Sequence, residues 1–211
     1  MIHPSATRRI KALTAAAIGL VAANGALRAD GQHSLNDLEG GIAREYRDVT
    51  HLTPEQFEAA MKTPEKVLLL DARPDGEVGV SRLPGAIPVD PDIDAEAFLT
   101  RFGDLARGRD VVIYCSVGVR SSKLASRVRR TLQKNGALRV ANLRGGIFAW
   151  HNTGRPLFDQ VGGTELVHPY SSRWTTYLDF QDLASYQPRS TASASANQSR
   201  PARPWSSYLP F

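Results

Sequence analysis

The sequence has a single cysteine, few aromatic residues and no acidic residue near either end. Aromatic residues make up 8% of its 211 residues, and Cys115 is the sole cysteine. One cysteine excludes an internal disulfide framework and any zinc site built from several cysteines. The five histidines show no spacing typical of metal ligands, so neither a metal nor another cofactor is expected.

The basic character of the chain belongs to its two ends. Residues 1–29 contain four basic residues and no acidic one, and residues 186–211 contain three basic residues and no acidic one. Residues 30–185 therefore hold 19 basic and 21 acidic residues, although the whole chain carries a net charge of +5. A folded domain that binds nucleic acid usually presents a basic stripe. These totals do not indicate one, so nucleic acid is not expected as a partner.

The first 29 residues have the pattern of an export signal. Arg8, Arg9 and Lys11 form a positive segment, and residues 12–27 are mostly small and apolar. That order is typical of a secretory signal peptide, and the apolar run is shorter than the ~20 residues of a membrane-spanning helix. We therefore expect export, with a periplasmic location. An uncleaved membrane anchor is the alternative, and membrane contact is expected only through this segment.

The middle of the chain alternates between strand and helix patterns. Three apolar runs, at residues 67–70, 111–114 and 140–143, are continuous rather than alternating. Such runs are typical of strands buried on both faces of a parallel sheet. A fourth strand is predicted at 86–89, after a turn-rich stretch over 73–85. One helix is predicted to begin at Thr53, which forms a capping box with Gln56. Three further helices are predicted at residues 94–102, 122–135 and 146–151. This alternation predicts an α/β fold with a largely parallel sheet.

The cysteine directly follows one of these predicted strands. A helix is predicted after the segment Cys115-Ser116-Val117-Gly118-Val119-Arg120-Ser121. In open α/β sheets, ligands bind beyond the carboxyl ends of the strands. A tight loop there turns backbone N–H groups toward its centre and makes a site for an anion. The helix N-terminus and Arg120, which adds charge or braces the loop, also favour a thiolate. We therefore interpret Cys115 as a reactive nucleophile rather than a buried structural cysteine.

Four stretches together resemble the rhodanese family of sulfurtransferases. They are Leu70-Asp71-Ala72-Arg73 with Glu77, then Ser81 to Ile87, then Val111 to Ser121, and finally Leu143-Arg144-Gly145-Gly146-Ile147-Phe148-Ala149-Trp150. The resemblance places one rhodanese domain at residues 50–158, after a linker at 30–49. An extension at 159–185, expected to pack on the domain, and a disordered tail at 186–211 complete the predicted organisation.

The resemblance implies a five-stranded, mostly parallel sheet with helices on both faces, and sulfur transfer through a persulfide on Cys115. A small anionic donor such as thiosulfate or a persulfide would load the sulfur, and a thiol or cyanide would accept it. The loop of Ser116, Val117, Gly118, Val119, Arg120 and Ser121 would bind the donor and the persulfide. Asp71 and Arg73 would support that loop or shape its mouth. The loop is less cationic than in relatives that use thiosulfate, which leaves the physiological donor open.

Two other functions fit parts of this pattern. A rhodanese domain can serve as a catalytically silent module for binding or regulation, but such modules often lack the cysteine that this chain retains. A cysteine phosphatase or an arsenate reductase also uses a thiolate, a backbone cradle and an arginine. The phosphatase motif has five residues between cysteine and arginine, whereas four separate Cys115 from Arg120. The shorter loop favours a sulfur-sized group.

Overall fold

The computed structural model describes residues 34–190, within which a five-stranded sheet is surrounded by helices. The sheet strands are β1 (Thr50–Leu52), β2 (Val67–Asp71), β3 (Ile87–Pro88), β4 (Asp110–Tyr114) and β5 (Arg139–Leu143). The α-helices are α1 (Leu35–Glu45), α2 (Pro54–Ala60), α3 (Asp75–Val80), α4 (Ala95–Ala106), α5 (Val119–Lys134) and α6 (Gly146–Asn152). A hairpin of β6 (Leu157–Phe158) and β7 (Gly163–Thr164) follows, and short 3₁₀-helices cover Pro64–Lys66, Ser172–Tyr177 and Gln181–Leu183.

All neighbouring strands of the main sheet are parallel, in the order β1-β5-β4-β2-β3. β4 is the central strand, and its Val112 lies opposite Leu69 of β2 and Ala141 of β5. β2 is buried along its whole length, and β4 is buried after its first residue. The five-stranded parallel sheet is therefore confirmed. The strands in the middle of the sheet have continuous apolar sequences because helices cover both of their faces.

Alternate residues of β4 point into two separate cores. Val111 and Ile113 face a cluster that includes Phe98 of α4 and Leu124 of α5. On the other face, a second cluster contains Val112 and Tyr114 of β4, together with side chains of α2, α6 and the C-terminal extension: Phe57, Trp150, Val167 and Leu178. Helices thus cover both faces of the sheet. The connection from β4 to α5 lies at the carboxyl edge of the sheet.

The helix starts follow local capping rules. Thr53 caps α2 and forms the predicted capping box with Gln56. Asp94 caps α4 through two backbone N–H groups, and this helix continues to Ala106, beyond the predicted end at 102. α5 begins at Val119, three residues earlier than predicted, directly after Gly118. That earlier start brings the first turn of the helix next to Cys115.

Two segments expected to lack regular structure contain helices. The expected linker at 30–49 includes α1, in which Ser34 and Asp37 form a capping box and Ile42 is buried. The turn-rich stretch after residue 73 includes α3. Both helices are short, and packing against the domain supplies most of the stability of short helices. Their local sequence patterns are therefore too weak to predict them. Strand β1 has three residues and no distinctive sequence pattern, which is why it was not predicted.

The C-terminal extension lies against the domain, and Val167 and Leu178 in it are fully buried. The described part of the chain continues from it to residue 190, into the segment where a disordered tail is predicted to begin. Tyr186 stacks edge-on against His168, and Arg189 binds the Asp159 carboxylate through Nε at 2.6 Å and Nη2 at 2.9 Å. Residues 186–190 thus include side chains with specific contacts, and the extent of the disordered tail stays a prediction.

The predicted export signal at residues 1–29, the first residues of the expected linker and the rest of the tail at 191–211 lie outside the described residues. Across residues 34–190, none of the helices combines the length and the apolar character needed to span a membrane.

Candidate active site

Cys115 is the first residue after the central strand β4, at the carboxyl edge of the sheet. Its side chain is buried, as are those of Ser116 and Val117 behind it. Gly118 ends the loop with a φ of 107°, in the left-handed region that favours glycine, and α5 begins at the next residue. The structure thus places the thiol between a strand end and a helix N-terminus, as the sequence predicts.

A backbone N–H of the loop and a hydroxyl of α5 lie next to the sulfur. The Gly118 N–H donates to Cys115 Sγ across 3.2 Å, and Ser121 Oγ lies 3.4 Å from the same atom. Hydrogen bonds of this kind stabilise negative charge on the sulfur, as does the N-terminus of a helix. Among the predicted loop residues, Gly118 donates a hydrogen bond to the sulfur, and Ser121 contacts it.

The hydroxyl of Ser121 is shared with a buried chain of hydrogen bonds. Its oxygen lies 2.6 Å from Asn142 Oδ1, and Asn142 Nδ2 lies 3.2 Å from His51 Nδ1. His51 Nε2 donates to the Tyr46 carbonyl oxygen, 3.1 Å away, so that Nδ1 is the acceptor for Asn142. The amide of Asn142 is therefore held with its oxygen toward Ser121. Because a hydroxyl has one proton and Asn142 Oδ1 can only accept, Ser121 donates to Asn142, and its oxygen lies beside the sulfur.

Arg120 braces the loop from its outer side. Its Nη2 lies 3.0 Å from Glu77 Oε1 and 2.8 Å from Ser116 Oγ, and the Ser116 hydroxyl donates to Glu77 Oε2 across 2.6 Å. The Glu77 carboxylate is almost fully buried, whereas the Arg120 side chain is 27% exposed. Of its two predicted roles, Arg120 has the bracing role, and Glu77 balances its charge.

Asp71 and Arg73 support the strand that carries the cysteine and do not contact the sulfur. Arg73 donates from Nε and Nη2 to the Asp71 carboxylate at 2.9 and 2.7 Å, and also to the Ser81 carbonyl oxygen. The hydroxyl of Tyr114, the residue before Cys115, donates to Asp71 Oδ2 across 2.6 Å. Burial lowers the pKa of Arg73, but the Asp71 carboxylate outweighs this effect and the net pKa is raised. Arg73 therefore stays protonated inside the protein.

Comparisons with known proteins agree with this arrangement. Residues 53–153 match the Rhodanese-like domain family. A sulfurtransferase of Allochromatium vinosum is 33% identical over 114 residues, a match that covers 54% of this chain and 99% of that protein. The chain belongs to the rhodanese family.

The chain is also similar to part of a longer relative and to a solved structure. A tRNA uridine(34) hydroxylase of Staphylococcus epidermidis is 34% identical over 113 residues, which cover 48% of this chain and 31% of that protein. The crystal structure of a thiosulfate sulfurtransferase from Pseudomonas aeruginosa has 23% identity and a TM-score of 0.44, covering 58% of this chain and 22% of that one. Membership of the family therefore establishes the domain and leaves the substrates open.

The first turn of α6 binds the backbone of the loop that begins at Cys115. The N–H groups of Ile147 and Phe148 donate to the carbonyl oxygens of Cys115 and Ser116 at 2.9 and 3.0 Å. Gly146 has a φ of 56°, and a Cβ there would lie 2.2 Å from the Cys115 carbonyl oxygen. A glycine is required at this position because the loop and the helix approach so closely.

The two valines of the loop have different positions. Val117 is buried in the core beside Tyr114, whereas the side chain of Val119 is 37% exposed at the start of α5. Val117 therefore anchors the loop, and Val119 belongs to the surface around the rhodanese site.

Part of the C-terminal extension borders the same surface. The Tyr170 ring lies over the Arg120 guanidinium, with 5.2 Å from its centroid to Cζ. Tyr170 contacts Trp174, and Trp174 contacts Tyr177, at centroid distances of 5.2 and 5.8 Å. Tyr170 is a non-glycine residue with a φ of 65°. We call these three side chains the aromatic row, and they lie outside the family match at residues 53–153.

Several functional residues were not assigned roles from the sequence. The family resemblance includes Glu77 but implies no role for it, and the apolar run at 111–114 identifies Tyr114 only as a strand residue. Asn142, His51 and Tyr170 carried no signal, because each acts through a partner distant in sequence. A Tyr or Asn within a buried strand indicates a hydrogen-bond network, since buried polar groups require partners. The sequence does not show which residues those partners are.

Proposed function

We propose that this rhodanese domain transfers sulfane sulfur through a persulfide on Cys115. The observation that carries the proposal is the hydrogen bond that the Gly118 N–H donates to Cys115 Sγ at the carboxyl end of β4, beside the N-terminus of α5. A backbone donor and a helix N-terminus at this position would hold the negative charge of a terminal persulfide. The sulfurtransferase relative from Allochromatium vinosum supports the same class of chemistry.

The sulfur is loaded by nucleophilic attack. The Cys115 thiolate attacks the sulfane sulfur of thiosulfate, or the outer sulfur of a persulfide. A new S–S bond forms at Cys115, and the old S–S bond breaks with its electron pair on the leaving sulfite or thiolate. The transferred sulfur arrives without net oxidation or reduction. The loop then holds the terminal sulfur, which carries the negative charge.

The sulfur is released to an external acceptor. A thiolate or cyanide attacks the terminal sulfur of the persulfide, and the S–S bond to Cys115 breaks so that the thiolate is regenerated. The chain has no second cysteine to resolve the persulfide internally. The product is therefore a new persulfide on the acceptor, or thiocyanate where cyanide is the acceptor.

The charge balance at the site favours persulfides over thiosulfate as the donor. Arg120 is paired with Glu77, and the other side chains of the loop are neutral. A doubly charged donor therefore meets little positive charge beyond the backbone donors and the helix N-terminus. The same pairing disfavours a cysteine phosphatase, which needs its arginine for the phosphate group.

Intact mass spectrometry tests the proposal. The purified chain is treated with thiosulfate, polysulfide or glutathione persulfide, and we expect a gain of one sulfur that a thiol removes. Cys115→Ser is the matched control and should gain no transferable sulfur. Failure with all three donors would contradict the proposal and favour a module for binding. Faster cleavage of a phosphate ester than transfer of sulfur would favour a phosphatase.

We also propose that the chain is exported to the periplasm, on the pattern of residues 1–29. Mass spectrometry of the protein from its own cell would report the mature N-terminus. A chain that retains residues 1–29 in the membrane fraction would support the anchor instead.

A further inference from the structure

His51 lies beside the hydrogen-bond network that reaches the reactive sulfur. It is the middle residue of β1, and its register partner on the neighbouring strand β5 is Asn142, which lies opposite Ile113 of the central strand. Ile113 belongs to the core that α5 covers. The sheet therefore brings His51 and Asn142 together near Ser121, in the first turn of α5. His51 precedes the family match at residues 53–153, so membership of the family assigns it no role.

The hydrogen bonds from Tyr46 to Ser121 run in one direction. The Tyr46 carbonyl oxygen can only accept, so His51 carries its proton on Nε2 and offers the lone pair of Nδ1 to Asn142 Nδ2. Asn142 Oδ1 then faces Ser121 and accepts its hydroxyl proton across 2.6 Å. The Ser121 oxygen therefore presents lone pairs, and not its proton, to Cys115 Sγ at 3.4 Å.

The Asn142 amide is held in this orientation by its surroundings. Asn142 and Ser121 are buried, so a polar atom that loses its partner there finds no water to replace it. A Cβ at Gly118 would lie 3.2 Å from Asn142 Nδ2, so the amide packs directly against the catalytic loop. A reversed amide would set Oδ1 against the Nδ1 lone pair of His51. His51 thus determines which end of the amide faces Ser121.

The end of α1 does not depend on His51 for its carbonyl group. The Tyr46 carbonyl oxygen also accepts from the Val49 N–H, at 3.1 Å. The bond from His51 is therefore a second bond to an oxygen that already has a partner. Its consequence is to fix the protonated nitrogen of the imidazole ring, and through it the orientation of Asn142.

The direction of the Ser121 hydroxyl affects the thiol and the thiolate of Cys115 differently. An oxygen lone pair accepts a weak hydrogen bond from a thiol and repels a thiolate, whereas a hydroxyl proton stabilises a thiolate. The observed direction therefore opposes the stabilisation that the Gly118 N–H provides. A less stabilised thiolate is also a stronger nucleophile, because the nucleophilicity of a thiolate falls as the acidity of its thiol rises.

We propose that His51 is a positioning residue for sulfur transfer, which acts through Asn142 to keep the Ser121 proton away from Cys115. The thiolate thereby stays basic and reacts faster with a sulfur donor. The inference rests on the proposed function and adds to it a residue that does not touch the sulfur. The effect is one of orientation, and no proton moves along the chain of hydrogen bonds.

Removal of the acceptor at position 51 tests the proposal. In His51→Leu, the Asn142 amide is free to turn Nδ2 toward Ser121, whose hydroxyl can then donate to the sulfur. Ionisation of Cys115 is followed by the ultraviolet absorbance of the thiolate, with Cys115→Ser subtracted to remove the signal of the tyrosines. We expect the midpoint to lie about half a pH unit lower than in the wild type, a threefold larger ionisation constant, as one net hydrogen bond produces.

The loading rate gives a second readout with a distinctive sign. At a pH above both midpoints, where Cys115 is ionised in both proteins, His51→Leu should load sulfur from polysulfide about twofold more slowly than the wild type. A cysteine that is more readily ionised and yet less reactive is the signature of a donated hydrogen bond. Loss of packing alone has no reason to produce this combination.

Further variants identify the route of the effect. In a Ser121→Ala background, His51→Leu should change neither the midpoint nor the loading rate, because the hydroxyl that transmits the effect is absent. His51→Asn retains an acceptor beside Asn142 and should restore the midpoint toward the wild-type value. Asn142→Leu removes the acceptor of the Ser121 proton and should lower the midpoint as His51→Leu does, which keeps the test available if His51→Leu does not fold. Thr50→Leu is the matched control, because Thr50 lies on the same strand with an exposed side chain, and it should change nothing.

The two readouts distinguish this proposal from the proposed function. If Cys115 gains no sulfur although the midpoint moves as expected, the proposed function fails and the effect of His51 on the sulfur stands. If Cys115 loads sulfur but the midpoint of His51→Leu is unchanged or higher, the positioning role is overturned. An equal decrease in the Ser121→Ala background, or no rescue by His51→Asn, would also overturn it, since the effect would then not pass through the oriented hydroxyl.

Discussion

The hydroxyl of Tyr114, on β4 just before Cys115, connects this strand to Asp71 of β2 and to Leu83 in the segment after α3. It donates to Asp71 Oδ2 across 2.6 Å and accepts from the Leu83 N–H across 3.1 Å. Tyr114, Asp71 and Leu83 are fully buried. Burial, and next the negative charge of Asp71, raise the pKa of Tyr114, so the phenol stays protonated and keeps donating.

Tyr114→Phe removes both hydrogen bonds and leaves the ring in place. A hydrogen bond to a charged group contributes about 1.5–3 kcal/mol, and a buried N–H left without a partner costs about 1–3 kcal/mol. Asp71 retains its bonds to Arg73, which limits the loss. We therefore expect the free energy of unfolding to fall by about 3 kcal/mol, equivalent to a decrease in Tm of about 6–12 °C for a chain of this size.

Urea denaturation and persulfide loading together test this reasoning. The folded variant should load sulfur within about twofold of the wild-type rate, because the hydroxyl supports the strand and does not touch Cys115. Tyr186→Phe is the control, since Tyr186 is half exposed. A loss below about 1 kcal/mol would refute the buried network as described. Unchanged stability with slow loading would instead place the hydroxyl in the reaction.

Three further changes test other parts of the structure. Gly146→Ala should destabilise the fold by more than about 3 kcal/mol, because its Cβ would meet backbone of the catalytic loop at 2.2 Å, whereas Gly76→Ala has open space and should be nearly neutral in thermal melts. Burial lowers the pKa of His151, so protonation of this side chain destabilises the folded state. The free energy of unfolding should therefore be fully retained above about pH 6.5 and should decrease as the pH falls below that value. His151→Phe should flatten this pH dependence, measured by unfolding in urea. Tyr170→Ala exposes Arg120 and should raise the loading rate with thiosulfate about threefold, whereas Tyr170→Phe keeps the ring contact and should not; equal rates in both variants would show that the ring does not limit access.

The strands and the position of the cysteine at a strand end were predictable because their signals are local. The runs at 67–70 and 111–114 are apolar along the chain, and they became the two central strands. The capping box at Thr53 likewise depends on residues three apart. The site was predictable to the level of one loop, since the same seven residues contain the thiol and the glycine that donates to it.

The roles of charged residues were less predictable than their presence. Arg120 was expected either to add positive charge or to brace the loop, and only its contact with Glu77, 43 residues away in sequence, shows that it braces. Helix α1 was expected to be a linker, because eleven residues with few large apolar side chains give a weak pattern. Packing against the domain supplies the stability that this pattern does not reveal.

The sequence by itself determined an α/β fold of the rhodanese family and a single cysteine at a strand end, since hydrophobic runs, caps and glycine positions act over a few residues. The tertiary structure decided which groups surround that cysteine. Ser121 meets Asn142, Tyr114 meets Asp71, and Tyr170 covers Arg120 because strand order and the return of the C-terminal extension bring distant residues together. Side-chain pairing of this kind depends on register and topology, which local sequence patterns do not encode.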